Sequence, residues 1–290
     1  ALLLLLLPRA FVDAKRLSRY HKLFWASQAC VVGMLLSFPF QGYGPVSITF
    51  STLSLFVNYA FAYALWRDTR DQRSTPHWLL RFALILLVLS SLGPWGLGPT
   101  IALKLKDTPL YPMLIYFYLH FMYNGWFVLG GLAYVLRKHV IGKNEYTPAL
   151  EKSVRILAWA TLPGFALSAL WLHPPVWVWF LAAIGAALPL GALGIWLNSL
   201  SAKGFASVCG KLFKSSIFWG ISCLAFIGKL LLQAMTALPY FAHMAAAQRP
   251  LVIFYLHWVF LGVLSFFFLG ELTVKQKLHG RCCSTATSTP

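Results

Sequence analysis

The sequence predicts an all-α, polytopic bundle of eight transmembrane helices, and three observations predict it. Eight apolar windows of roughly 18 to 25 residues are each long enough to cross the ~30 Å hydrocarbon core as a helix. Of the 24 Lys and Arg, all but Lys104, Lys106, Lys229, Arg249 and Arg81 (three residues into span three) fall in the N-terminal segment, in every second connection, or in the C-terminal tail. Finally, 59% of the 290 residues are hydrophobic and the mean hydropathy is +0.70, beyond the range of a water-soluble domain. Basic connections mark the cytoplasmic side, so both termini are expected there. Backbone groups in lipid must pair within the element or around a closed barrel, and apolar runs without strict alternation select helices.

A single transmembrane domain is expected over 1–290. The apolar run Ala1–Leu7 has no basic residue before it and reads as the cytoplasmic end of a truncated preceding span. Arg9–Lys22, with Lys15, Arg16 and Arg19, is an amphipathic lead-in on the inner side. Span one covers Leu23–Phe40 and emerges at the uncharged Gln41–Pro45. Span two, Ser47–Trp66, returns to the basic loop Arg67–His77. Span three, Trp78–Leu97, leads out to Gly98–Pro109, and span four, Leu110–Leu136, comes back to Arg137–Arg155. Spans five (Ile156–Leu172) and six (Val176–Leu200) form a hairpin about His173-Pro174-Pro175. After the inner loop Ser201–Ser215, span seven runs to Pro239, span eight is Leu251–Leu272, and 273–290 is a cytoplasmic tail.

Trp25, Trp66, Trp78, Trp95, Trp177 and Trp179 lie near span ends, where indole rings suit the membrane interface. Gly125, Gly130, Gly131, Gly185, Gly191 and Gly194 in spans four and six permit close helix approach, and Pro163 and Pro189 are expected to kink spans five and six. No repeat of fixed period stands out.

The net charge of +17 is spread over short loops beside spans, where orientation and anionic headgroups account for it and nucleic acid does not. Cys30 and Cys223 lie in spans, and Cys209, Cys282 and Cys283 on the reducing side, so no disulfide is expected. The Cys282–Cys283 pair is either an acylation site or an inert part of the tail. All seven acidic residues lie in loops or at span ends, which disfavours proton-coupled transport, paired-carboxylate catalysis and an Asp/Glu metal site.

Six polar side chains remain at membrane depth: Asn58, His120, Asn124, Lys229, Gln233 and His257. Tyr116, His120 and Asn124 recur every four residues and share one helix face. At 1.5 Å per residue, His120 lies roughly 15 Å and His257 roughly 9 Å from the outer ends of their spans. Such groups are costly in lipid and must face one another or a cofactor. They either hydrogen-bond between helices or serve as ligands: His120 and His257 for a metal, with Asn124 and Tyr116 beside them. Lys229 is expected to be structural or to snorkel towards the outer interface. His173 and His243 are expected to be solvated, and His21, His77, His139 and His279 to be inner-loop residues without a chemical role.

The segments Tyr116-Phe-Tyr-Leu-His120-Phe-Met-Tyr-Asn-Gly-Trp-Phe127 and Ser47-Ile-Thr-Phe-Ser-Thr-Leu53 resemble a poorly characterised bacterial membrane family that is itself similar to subunit I of the haem–copper oxidases. The resemblance implies a bacterial inner-membrane location and matches the eight spans to helices three to ten of the oxidase scaffold. It would place His257 on the helix that supplies proximal haem ligands and His120 on one that supplies a copper ligand. Span five lacks the His–His pair of that scaffold, Asn124 stands where a Tyr is usual, and Tyr255 and Val259 flank His257 in place of a second histidine. The ligand set for copper is therefore incomplete, and the resemblance implies at most one haem, handling electrons or a diatomic gas. A cofactor-free protein that interacts with small molecules or lipid, and an accessory subunit of a membrane complex, are the alternatives.

Overall fold

The computed structural model describes residues 2–140, 147–201 and 216–274. Every regular element among them is helical. The inner-loop residues 141–146 and 202–215, with Cys209, and the tail from 275, with His279, Cys282 and Cys283, lie outside the described residues. Among the described residues seven helices are long and apolar enough to cross a membrane: Ala14–Gln41, Pro45–Thr69, Thr75–Ala102, Pro148–Leu172, Val176–Ser199, Ile217–Met235 and Pro250–Val274. Their outward faces are apolar as well, with Leu35, Leu36 and Phe40 projecting from the first and Trp25 and Trp177 exposed near helix ends. A surface of that kind is compatible with lipid and not with water. The chain is an integral, multi-pass membrane protein.

Two compact units divide the chain, Ala1–Tyr146 and Thr147–Pro290. The first opens with α1 (Leu2–Phe11), which buries Leu3, Leu4, Leu7 and Phe11, and a short 3-10 turn, Ala14–Arg16. The antiparallel pair α2 (Leu17–Gln41) and α3 (Pro45–Thr69) reverses at Gly42, whose φ of +56° suits a residue without Cβ. At the core lies α4 (Thr75–Ser90), in which Leu79, Leu80, Ala83, Leu84, Leu86 and Leu87 are almost wholly buried. α5 (Leu92–Ala102) continues its path and packs on α6 (Leu110–His120). From α6 the helix runs unbroken through a π-helical segment, Phe121–Leu129, then α7 (Gly130–Val135) and a second π segment, Leu136–Val140. This path is long enough to span but is not among the seven apolar helices, because His120, Asn124 and its tyrosines lower its hydropathy.

In the second unit α8 (Pro148–Gly164) and α9 (Val176–Ser201) form an antiparallel hairpin. Pro163 does not end the helical path. The chain tightens after it into a 3-10 stretch, Phe165–Leu172, consistent with the loss of one i→i−4 donor. α10 (Ile217–Met235) is followed by α11 (Pro239–Ala247) and α12 (Arg249–His257), and α12 passes into a π segment, Trp258–Ser265, with α-helix resuming over 266–274. Leu167, Leu170, Ala182, Ala186 and Ala242 form a small core beneath α11.

The glycines divide by surroundings. A Cβ at Gly125 would lie 2.7 Å from Leu86 Cβ, and one at Gly185 would meet the Gly164 backbone at 2.5 Å, so both mark close approaches. Gly131, Gly191 and Gly194 face open space, which corrects the expectation that every glycine of spans four and six serves packing.

Candidate intramembrane histidine sites

Each unit carries one histidine where α-helix gives way to π-helix. His120 closes α6 and the segment Phe121–Leu129 follows; His257 closes α12 and Trp258–Ser265 follows. The coincidence extends to sequence. Phe117-Tyr118-Leu119-His120-Phe121 continues to Tyr123 and Gly125, and Phe254-Tyr255-Leu256-His257-Trp258 continues to Phe260 and Gly262. It extends to packing too. Gly125 meets Leu86 of α4, and a Cβ at Gly262 would lie 3.2 Å from Ala225 of α10. In both units the second helix before the histidine-bearing one, α4 and α10 respectively, packs along the π segment. The repeat is legible in the sequence once the two histidines are aligned, a signal that a search for short fixed periods does not find.

His120 and Asn124 are both buried, and Asn124 Nδ2 lies 3.2 Å from His120 Nδ1. As placed, the amide N–H donates to Nδ1, which puts the ring proton on Nε2. Asn124 Oδ1 is buried without a hydrogen-bond partner. A half-turn of the amide would set Oδ1 against Nδ1–H and leave Nε2 with a lone pair for a metal. The Phe121 ring stands edge-on to the imidazole at 5.1 Å. Tyr116, one turn earlier, is half-buried and makes no hydrogen bond among the described residues. The structure thus joins His120 to Asn124 and leaves Tyr116 apart.

His257 belongs to the second unit and is exposed. Leu261 stands where the first unit has Asn124, and the imidazole turns instead to its own helix: Nδ1–H donates to the Ile253 carbonyl at 2.8 Å. A carbonyl only accepts, so the tautomer is fixed and Nε2 keeps its lone pair. Metal-bound histidines are commonly oriented in this way. Among the described residues no three His, Cys, Asp or Glu side chains gather as a metal-ligand cluster.

Other polar groups make contacts of their own. Of the two roles expected for Lys229 the contacts fit the structural one: it is 3% exposed and Nζ donates to Gln233 Oε1 at 2.6 Å. His173, in a left-handed turn (φ +51°), is exposed, and its ring lies beside that of the half-buried His243, with centroids 4.6 Å apart and planes tilted by 32°. His77 is buried in the first turn of α4, with Ser74 Oγ 2.7 Å from Nδ1 and Phe11 edge-on at 5.0 Å. Two groupings escaped sequence reasoning altogether. Trp95 Nε1 donates to Tyr59 Oη at 2.8 Å, and Tyr59 donates to Ser91 Oγ at 2.5 Å, pinning α3 to the α4–α5 junction. Asp68, read as a loop residue, has a side chain only 1% exposed and accepts from Tyr20 Oη at 2.8 Å and Arg16 Nη1 at 3.0 Å, with Arg19 as a second ion-pair partner. No family model matches the chain, and no curated protein or solved structure matches it either.

Proposed function

We propose that this chain is an eight-span protein of the bacterial inner membrane, with both termini cytoplasmic, that holds one haem through His257 on a scaffold similar to oxidase subunit I. The observation that carries the reading is His257 itself. It lies in the apolar span Pro250–Val274, exposed, with Nδ1–H committed to Ile253 and Nε2 unclaimed among the described residues. An imidazole nitrogen left unsatisfied within a membrane span is costly, and a ligand bound there would remove that cost. A haem iron is satisfied by a single neutral imidazole, and aromatic neighbours such as Phe254 and Trp258 suit a macrocycle. The residues fit a haem axial ligand; they do not fit a copper centre, which needs several converging imidazoles. Haem bound there would supply one-electron exchange or the capture of a diatomic gas.

The eighth span is the helical path from Leu110 to Val140. Its polar side chains turn inward, with His120 and Asn124 buried, and the charges of Arg137 and Lys138 lie at its far end. The His120–Asn124 hydrogen bond favours a second reading, a cofactor-free protein that interacts with small molecules or lipid and in which such groups satisfy one another.

The test is a dithionite-reduced minus oxidised spectrum of the protein purified in mild detergent, beside His257→Ala and His120→Ala. Soret and α bands are expected in the parent, lost in a monodisperse His257→Ala and retained in His120→Ala. A folded parent that shows no bands and takes up no added haemin excludes the haem reading and leaves the cofactor-free one.

A further inference from the structure

A cleft of about 660 Å³ opens where α2 begins and α3 ends, lined by Lys15, Arg16, Ser18, Arg19, Lys22, Arg67, Asp68, Arg70 and Asp71. Six cationic side chains thus face two carboxylates, and one of these, Asp68, is already bound by Arg16 and Arg19. Asp71 is exposed and 3.6 Å from Arg70, a solvent-screened pair that neutralises little. Lys15 and Lys22 have no carboxylate partner among the described residues, and Arg19 Nε is buried without an acceptor. Asp68 fixes the forks of Arg16 and Arg19 against the wall while leaving most of their N–H donors open.

The helix ends reinforce this bias. The N-terminus of α2 brings its partial positive charge to the cleft. The carbonyls at the C-terminal end of α3, which would oppose it, are occupied: Arg81 Nη1 donates to those of Thr69, Arg70 and Gln72 at 2.9, 3.1 and 3.0 Å. Orientation alone requires positive charge near a span end. It does not require a concave site, a buried carboxylate that aims two guanidinium groups, or a separate arginine on the opposing carbonyls.

We propose that this cleft binds a phosphate group at the level of the membrane surface, carried by an anionic lipid or free in solution. The proposal is independent of any haem at His257. Arg16 and Arg19 supply oriented donors for two phosphate oxygens, and Lys15 and Lys22 supply point charges.

The test uses the full chain, purified in mild detergent and stripped of lipid. It is titrated with phosphatidylglycerol or phosphatidylcholine of the same acyl chains, and bound lipid is counted by native mass spectrometry. Phosphatidylglycerol is expected to bind more tightly, and Lys15→Gln with Lys22→Gln to weaken it by about fivefold per cation removed. Those two residues do not touch Asp68, so the fold survives their loss. Lys104→Gln with Lys106→Gln removes equal charge elsewhere and is expected to leave binding unchanged. Inorganic phosphate separates the sources: displacement of the lipid at millimolar concentration identifies a soluble phosphate site, and its failure to displace identifies a headgroup site. Equal binding of the two lipids together with no binding of inorganic phosphate, or equal loss in both double variants, overturns the proposal.

Discussion

Asp68 and Asp71 stand three residues apart, yet their substitutions should behave differently. Asp68 is enclosed by Arg16, Arg19 and Tyr20, whereas the Asp71 side chain is 88% exposed. Asp68→Ala leaves two guanidinium groups and a phenol without their acceptor, and should lower the stability of the protein in detergent by about 2–3 kcal/mol. Asp71→Ala should change it by less than about 0.5 kcal/mol. Thermal unfolding of the two variants side by side checks this, and similar melting temperatures would refute it. At the histidine sites the deciding atom is the one opposite Nδ1. Asn124→Asp puts a carboxylate there, which holds the proton on Nδ1 and frees Nε2. It should raise the affinity of His120 for added Zn²⁺ or Co²⁺ by at least about tenfold, whereas Asn124→Leu should not. Co²⁺ absorption titrations of the two variants, each against His120→Ala as blank, read the difference. Residue types at depth were legible in the sequence, since His120, Asn124 and His257 interrupt apolar runs. The burial of Asp68 was not, because its partners Arg16 and Arg19 lie some fifty positions earlier and only the α2–α3 hairpin brings them together.

At the scale of the element, the π segments and their glycine contacts set how closely helices approach. Gly125→Ala places a methyl 2.7 Å from Leu86 Cβ, so it should cost about 1–3 kcal/mol and disturb the neighbouring His120–Asn124 pair. Gly131→Ala, six residues on in open space, should be neutral or stabilise by up to about 1 kcal/mol. Melting temperatures that fall equally would contradict the assignment. Helix positions were legible from apolar runs and loop charge, and the described helices agree with the expected spans to within a few residues at most ends. Which glycines serve packing was not, because that depends on which side of a helix meets a neighbour. The 3-10 stretch after Pro163 was anticipated only as a kink, since a proline shows where a donor is lost but not how the chain absorbs it.

Taken whole, the molecule has two units that follow one plan: a helical hairpin, a helix packed along a π segment, and a histidine at the start of that segment. In the proposed eight-span topology three crossings lie between the two histidine-bearing helices, so both run in the same direction. Seven crossings are supported by composition, and the remaining one depends on the polar path from Leu110 to Val140. If that path lay along the surface, His120 would leave the bilayer interior and every later connection would exchange sides. The most direct measurement therefore introduces Thr108→Cys and Thr147→Cys, one at a time, in a background with the native cysteines replaced, and labels each thiol with a membrane-impermeant maleimide. The thiol at position 108 should label on the outer side of intact spheroplasts, and the thiol at position 147 only after the membrane is opened. Labelling of both from the same side would contradict the eight-span account and the depth assigned to His120.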